Sequence, residues 1–416
     1  MSHDIEVHID FAAGLKRVGT LHRHARRGSE ALSFEYHVDW LSDPARFSLE
    51  PALTLGRAAF APTAGQSNFG SIGDSAPDTW GRRLMQRAER RRAEREGRAV
   101  RTLMEADYLL GVSDVSRVGA LRFRRAGEEV FASPTSVGVP HLVDLGKLLQ
   151  ITERILRDEE TDEDLQIIFA PGSSLGGARP KASVIDQHGH LSIAKFPKEA
   201  DDYCVELWES VALRLAATAG IRAPESDLLK VAGKPVLLSR RFDRTDTTRV
   251  PFLSALSMLG LKDGDRASYP ELVDALARHG AQAAHDAREL YRRMVFNVLI
   301  SNVDDHLRNH GFLWSGRDGW VLSPVFDLNP TPVDVKPRIL TTNISLDDAT
   351  CDMDLVLSVA EYFSLDAATA KSIAKEVAEV TARWRDVAAT LDARATEIRR
   401  METAFEHGDL AKALAL

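Results

Sequence analysis

Two short stretches constrain this chain more than any other feature. They read Ser301-Asn302-Val303-Asp304-Asp305-His306-Leu307-Arg308-Asn309 and Pro324-Val325-Phe326-Asp327-Leu328-Asn329-Pro330. In order they set out a carboxylate (Asp304), an amide after four intervening residues (Asn309), and a second carboxylate (Asp327). Transfer of a γ-phosphoryl group asks for this set. One carboxylate orients an attacking hydroxyl and accepts its proton, and oxygen ligands hold Mg2+ against a crowded triphosphate. Asp304 fits the first role, Asn309 and Asp327 the second. A single Asp or Asn in a loop more commonly caps a turn or helix, so the weight lies on order and spacing.

The same order and first spacing occur in the catalytic and metal-binding loops of protein kinases. Asp305 would serve as the base in a shifted register, but only Asp304 has the four-residue spacing to Asn309. Phosphate-binding groups are expected upstream. The segment from Gly172 to Lys181 is small and flexible enough to bring backbone N–H groups to phosphates, with Gly176, Gly177 and Lys181 as candidates. It is not a Walker loop, because Ala178 and Arg179 follow its last Gly, and it lacks G-x-G-x-x-G. Leu191-Ser192-Ile193-Ala194-Lys195 reads as a strand with Lys195 on the face of Leu191 and Ile193. An ammonium on a core-facing row requires a carboxylate or phosphates opposite. In the helix that follows, Trp208, Val211, Ala212 and Leu215 form an apolar stripe. Glu209 flanks that stripe and is the expected partner of Lys195, with Glu206 one turn earlier as the alternative.

Four separated motifs now stand in one chain: Ser174 through Lys181, Ala194-Lys195-Phe196-Pro197, Arg241-Phe242-Asp243-Arg244, and Val303 through Asn309 with Phe326-Asp327-Leu328. In order and spacing they resemble the HipA family of serine/threonine kinases, the toxin halves of bacterial toxin–antitoxin pairs. The likeness covers roughly residues 165–400, and the N-terminal part resembles the family's leading domain more loosely. What it implies is an α+β, protein-kinase-like HipA fold. A β-rich N-terminal domain with a helical extension would occupy 1–135, a small nucleotide-binding lobe 136–245 and a mainly helical C-terminal lobe 246–416. The resemblance also implies ATP and Mg2+ as cofactors, Lys195 on the α- and β-phosphates, and Arg240 through Phe242 as the adenine hinge. Ser174 corresponds to an autophosphorylated serine, with Ser173 as its competitor. The implied partners are a HipB-like helix-turn-helix antitoxin and a protein substrate such as an aminoacyl-tRNA synthetase, DNA being met only through the antitoxin. A catalytically inactive kinase-like partner of an antitoxin–DNA complex and a small-molecule kinase are the alternatives. Joint retention of Lys195, Asp304, Asn309 and Asp327 favours an active enzyme.

Composition fits a large enzyme: 416 residues, 44% hydrophobic and 27% charged, leave room for two or three domains. Cys204 and Cys351 are far apart, so a reducing cytoplasm is expected rather than a disulfide framework. No signal-peptide pattern or long apolar span points to a membrane. The formal charge of −8 argues against indiscriminate nucleic-acid binding. A local basic run contains Arg82, Arg83, Arg87, Arg90, Arg91, Arg92, Arg95, Arg98 and Arg101, with Glu89, Glu94 and Glu96 interspersed. It is expected to be a helix beginning between Ser75 and Asp78 and stopping at Gly97. A solvated face laced with ion pairs is the plainer reading, contact with nucleic acid or an acidic partner the other.

Alternation of Ile5, Val7 and Ile9, and of Leu32, Phe34, Tyr36, Val38 and Trp40, predicts strands. Leu290, Met294 and Val298 share one helix face, and Leu355 to His407 reads as two or three amphipathic helices. His306 and His310 have a zinc-like i, i+4 spacing but lack the Glu after the first His. His306 is expected instead to fix the catalytic loop by hydrogen bonds.

Overall fold

The computed structural model describes residues 4–26, 28–133, 138–169, 177–245 and 248–416. Backbone contacts divide the chain into two compact units. The first comprises Met1–Lys198, Val231–Gly233 and Leu238–Lys262; the second comprises Glu199–Lys230, Lys234–Leu237 and Asp263–Leu416.

The first unit begins with an antiparallel sheet of order β4-β3-β2-β1-β5. Its strands are β1 (Ile5–Phe11), β2 (Gly14–Arg26), β3 (Ser29–Tyr36), β4 (Ala59–Phe60) and β5 (Leu121–Arg125). β1 is paired on both sides, with β2 and β5. Ile5, Val7 and Ile9 bury one of its faces, while Glu6 and His8 are buried on the other. Those polar residues need partners in that setting. Glu6 accepts from Arg124 at 2.6 Å, its cross-strand neighbour, and lies 3.1 Å from the ring of His8. Glycine is required at position 19, where a Cβ would sit 2.3 Å from the Glu35 carbonyl oxygen.

The alternation that runs from Leu32 to Trp40 does not continue as a strand. β3 stops at Tyr36, and α1 (Val38–Ser42) follows, with the His37 ring accepting from the Asp39 N–H. Residues two apart on a helix point in different directions. Val38 is accordingly 51% exposed, while Trp40 is buried against Phe11 and Phe47. After α2 (Gly70–Asp74), α3 (Thr79–Arg95) starts at Asp78, whose Oδ1 accepts from the Gly81 N–H at 2.8 Å. Trp80, Leu84, Met85, Glu89 and Ala93 are its buried residues. α4 (Glu105–Leu110), α5 (Leu145–Leu156) and α6 (Asp162–Phe169) complete the helical part of this unit before residue 170.

A second sheet is ordered β6-β7-β9-β8, from β6 (Lys181–Ile185), β7 (Leu191–Lys195), β8 (Ser226–Val231) and β9 (Lys234–Arg240). The division between units passes through β8 and β9. The Arg241-Phe242-Asp243-Arg244 motif follows β9 in the first unit, and there it forms a knot. Asp243 is 3% exposed and takes hydrogen bonds from Arg241 Nε (2.7 Å), Arg244 Nη1 (2.8 Å) and the Gly119 N–H (2.7 Å). Both guanidiniums also bond carbonyls of the 115–119 segment, Arg241 on Ser116 (2.6 Å) and Arg117 (3.1 Å), and Arg244 on Gly119 (3.0 Å). β10 (Phe252–Ser254) is fixed nearby, with Ser254 N–H and hydroxyl both donating to Asp74.

The second unit is mainly helical. α7 (Val205–Thr218) buries the expected stripe of Trp208, Val211, Ala212 and Leu215, and Glu206 and Glu209 besides. α8 (Ala255–Met258) still belongs to the first unit, and α9 (Tyr269–His279) and α10 (Ala283–Leu299) belong to the second. Leu290, Met294 and Val298 of α10 are fully buried. β11 (Gly311–Trp314) and β12 (Trp320–Leu322) form a hairpin. The C-terminal part is broken into more helices than two or three: α11 (Met353–Ser358), α12 (Ala367–Thr381) and further short ones. Left-handed residues at Ser364 (φ 57°) and Asp392 (φ 57°) interrupt the run. Trp384 stacks on Phe405 with ring centres 4.7 Å apart, and Trp208 packs against both. No helix among the described residues is long and apolar enough to cross a membrane.

The Asp243 knot carries a testable stability. Burial alone would raise its carboxyl pKa, but Arg241, Arg244 and the Gly119 N–H hold it far below the usual carboxylate range. A depressed folded-state pKa contributes stability above the unfolded value of about 3.9, and that contribution is lost as pH falls toward the folded value. Asp243→Ala should cost about 3–5 kcal/mol at neutral pH, because it leaves buried guanidiniums uncompensated. Denaturant titration of parent and variant checks this. The gap between them should hold from neutral pH down to about 5 and narrow below about 4.

Candidate active site

In the second unit α10 ends at Leu299, and Ser301 turns the chain sharply with φ 52°. The loop that follows is tied down at its base: Ser301 hydroxyl donates to the Ala404 carbonyl at 2.8 Å, and Asn302 Nδ2 to Asn297 Oδ1 at 3.0 Å. The two adjacent aspartates then part company. Asp305 is 2% exposed. Tyr269 hydroxyl donates to its Oδ2 at 2.5 Å, His310 Nε2 lies 2.9 Å from its Oδ1, and its carbonyl accepts from Thr342 N–H and hydroxyl. Burial and the Asp305 carboxylate push the Tyr269 phenol well above its usual pKa, so it stays a donor. Asp304 faces the other way, its side chain about half exposed at 52%, with Lys336 Nζ 3.5 Å from Oδ1.

Asn309 closes the loop in a 3-10 turn and donates its Nδ2 to the Asp304 carbonyl at 3.1 Å. With its nitrogen spent there, the other end of the amide is an oxygen donor. Asp327 lies in an irregular segment after β12 and adopts φ 55°. Its N–H donates to Glu209 Oε1 at 3.1 Å. Asn329 N–H donates to Asn302 Oδ1 at 3.2 Å, and Thr331 N–H to the Ser301 carbonyl at 3.2 Å. Through these bonds the segment carrying Asp327 is laced to the base of the loop carrying Asp304 and Asn309.

The sequence assigns no role to Asn297, Asn302 or Asn329, the amides that make this lacing; Asn297 lies near the end of α10, and Asn302 and Asn329 stand beside the acidic motif residues without a spacing of their own. Glu209, expected to face Lys195, is buried in α7 and holds the Asp327 N–H. The side-chain Nδ1 of His306, the histidine expected to fix the loop, is buried without a hydrogen-bond partner among the described residues. His310 Nε2 lies within ion-pair distance of Asp305, at 2.9 Å, likewise without a hydrogen bond.

The remaining candidates lie in the first unit. Lys195 ends β7 directly opposite Lys181 in the antiparallel register, and both are buried. Like charges across a strand pair repel, so anions are needed on that face. Asp78, at the start of α3, supplies one, 3.5 Å from Lys181 Nζ. Gly177 takes φ 88° and its carbonyl accepts the Trp80 N–H at 3.3 Å. Thus the N-terminus of α3 anchors both ends of the Gly177–Lys181 stretch. Ser173, Ser174 and Gly176 lie outside the described residues. Arg240 ends β9, and the Phe242 ring lies 6.3 Å from that of Phe252.

Residues 173–384 match the family described as HipA-like C-terminal domain. The chain belongs to that family. It is 23% identical over 180 residues to a Haemophilus influenzae protein named "Putative kinase", covering 38% of this chain and 52% of that one. It is 30% identical over 138 residues to "Putative kinase Y4dM" of Sinorhizobium fredii, covering 30% and 33%. The chain thus spans about half the length, or less, of the curated relatives it matches. A solved complex of Shewanella oneidensis HipA, HipB and operator DNA matches with a TM-score of 0.67 at 18% identity, covering 99% of this chain and 96% of that chain. Identity that low speaks for the fold, a mixed α+β architecture shared with HipA.

All of Lys181, Lys195, Glu209, Arg240, Phe242, Asp304, Asn309 and Asp327 fall inside the HipA-like segment. The arginine-rich helix lies before it, and several of its arginines are ion-paired: Arg82 with Glu105, Arg87 with Asp158 and Glu160, Arg91 with Glu160, and Arg95 with Asp162. Beyond its end Arg98 pairs with Glu89 and Glu96, and Arg101 with Asp107. A three-residue group with metal-ligand atoms, His285, Asp286 and Glu289, sits on α10. Its carboxylates already answer guanidiniums: Arg222 is 2.9 Å from Asp286 and 2.6 Å from Glu289, and Arg293 also pairs with Glu289.

The two aspartates should separate in a melting experiment. Asp305→Ala removes the acceptor of Tyr269 and the anion beside His310 in a dry site and should destabilise the protein by about 2–4 kcal/mol. Asp304→Ala, on the exposed side, should stay within about 0.5 kcal/mol of the parent. Denaturant curves of the two single variants check this.

Proposed function

We propose that this HipA-like chain is an ATP-dependent serine/threonine-protein kinase and the toxin of a type II toxin–antitoxin pair. The observation that carries the reading is the division of labour between neighbours. Asp305 is consumed by the fold, which leaves Asp304 exposed and within one laced pair of loops with Asn309 and Asp327. That arrangement suits a base whose carboxylate must meet an outside hydroxyl. The names of the Haemophilus and Sinorhizobium relatives support the same class of activity.

In this reading Asp304 accepts the proton of the acceptor hydroxyl as its oxygen bonds to the γ-phosphorus. The bond from that phosphorus to the β,γ-bridging oxygen breaks, and ADP leaves. Asn309 and Asp327 present oxygen donors only, which suits a hard cation such as Mg2+. When bound, Mg2+ neutralises charge on the phosphates. Lys195, with Lys181 and Gly177, would hold the phosphates, and Arg240 through Phe242 the adenine. Glu209 would act on Asp327 through the backbone, holding its strained φ. Ser174, or Ser173 in its place, would be the autophosphorylated residue. A HipB-like antitoxin is the proposed partner, with DNA reached through it, since the fold is shared with a HipA solved together with HipB and operator DNA. The acceptor is proposed to be a translation protein such as an aminoacyl-tRNA synthetase.

Asp304→Asn should lower phosphoryl transfer by about 10²–10⁴-fold, the usual worth of a general base, with ATP affinity nearly unchanged. Transfer of label from ATP to a protein acceptor, together with calorimetric ATP binding, decides it; unchanged turnover would overturn the assignment. Asp327→Ala and Asn309→Ala should weaken ATP binding far more with Mg2+ than without it. Equal losses in both conditions would make these residues structural. Phosphate on Ser174 would add about −1.5 to −2 charges beside the triphosphate, so the modified protein should bind ATP poorly. Mass spectra should show that phosphate in the parent and none in Asp304→Asn.

A further inference from the structure

The first unit contains a cavity of about 580 Å³ whose walls include His188, His190, Arg240, Arg244, Arg249 and Asp10. Lys181, Lys195 and Phe242, assigned above to ATP, are not among its lining residues, whereas Arg240 and Arg241, from the proposed adenine segment, are. The histidines come from the turn between β6 and β7, and the arginines from the end of β9 and the segment beyond it. A volume of this size is that of a site for a small organic ligand.

Among the described residues, the arginines at and behind this wall outnumber the carboxylates they share. Arg117, Arg122, Arg241, Arg244 and Arg249 divide Asp10, Asp114 and Asp243 between them. Arg122 takes both Asp10 (3.0 Å) and Asp114 (2.6 Å), so Arg249, 3.0 Å from Asp114, has only part of a carboxylate. Arg117 is fully buried and bonds carbonyls of Ser75, Leu109 and Val112 instead of an acid. Nη1 of Arg249 is buried with no hydrogen-bond partner among the described residues. An unpartnered guanidinium N–H in a desolvated cluster is costly. Burial, with Arg122 and Arg241 close by, also holds the Arg249 pKa below its ordinary value. A phosphate would supply the missing charge, and guanidinium forks match its oxygens in pairs. The concavity has the volume of a small ligand, which favours a small anion as its occupant.

We infer that this cavity is a second ligand site, which binds a phosphate-bearing small molecule through Arg249 and the His188–His190 turn. None of these residues is assigned to ATP above, so it stands whether or not the kinase assignment does.

The test uses the full chain carrying Lys195→Ala and Asp327→Ala, which disables the proposed ATP site, titrated calorimetrically with inorganic pyrophosphate. One binding event should persist in this background. Adding Arg249→Gln should weaken it about tenfold or more, the worth of a charge-assisted pair. His188 lies in an exposed turn, so His188→Ala should fold normally and still weaken binding severalfold. No heat up to millimolar pyrophosphate, or binding that neither Arg249→Gln nor His188→Ala changes, would overturn the inference.

Discussion

The interaction on which the candidate site depends is the buried hydrogen-bond set around Asp305. A carboxylate that is 2% exposed survives in a protein only with donors on its oxygens. Tyr269 donates to Oδ2, His310 Nε2 lies 2.9 Å from Oδ1, and Thr342 takes the carbonyl. With Asp305 pinned inward, the adjacent Asp304 is left on the exposed side. The position of the proposed base is therefore decided by α9, which carries Tyr269, and by the start of β11, which His310 precedes. The Asn297–Asn302–Asn329 chain then extends this rigid patch to the segment of Asp327. Low local dielectric makes each bond in such a network stronger and each missing partner more costly, so the loops are fixed as a group.

A comparable device organises the first unit. Asp243 gathers two arginines and the Gly119 N–H, and these arginines hold carbonyls of the 115–119 segment. The Arg-Phe-Asp-Arg motif therefore fastens the stretch after β9 to the N-terminal part of the same unit. Its Phe242 is the one member facing an aromatic neighbour, Phe252. α3 plays a matching part at the other end of the sheet, where Asp78 meets Lys181 and the Trp80 N–H meets Gly177. What was expected to be a separate leading domain supplies two anchors to the segment proposed to handle ATP.

How much of this the sequence disclosed follows from the range of each interaction. The Asp304–Asn309 spacing is local, and so it was readable and favoured Asp304 over Asp305; the burial of Asp305 was not, because it rests on Tyr269 and Thr342, dozens of positions away. The stripe Trp208, Val211, Ala212 and Leu215 was legible from its period, as were Leu290, Met294 and Val298. Alternation misled at Val38 and Trp40, where a period-two pattern of two residues is too short to exclude a helix. The arginine run of α3 read correctly as a helix, but its ion pairs to Asp158, Glu160 and Asp162 join segments that no local rule connects. Nor does any sequence sign show that Asp305 points inward, next to His310.

Backbone strain adds one further step. Ser301 and Asp327 both adopt left-handed φ, at 52° and 55°. Such a conformation costs a non-glycine residue about 1–2 kcal/mol, and glycine would adopt it without that cost. At Ser301 the side chain earns its place by bonding the Ala404 carbonyl while also accepting from Arg338 Nε at 3.0 Å. At Asp327 the main chain carries two of the bonds that fix the loop: its N–H donates to Glu209 and its carbonyl accepts from Asn329. Those backbone bonds would survive replacement by glycine, which adopts the same φ without the cost, whereas glycine at 301 would lose both of the side-chain bonds that tie the loop base to Ala404 and Arg338.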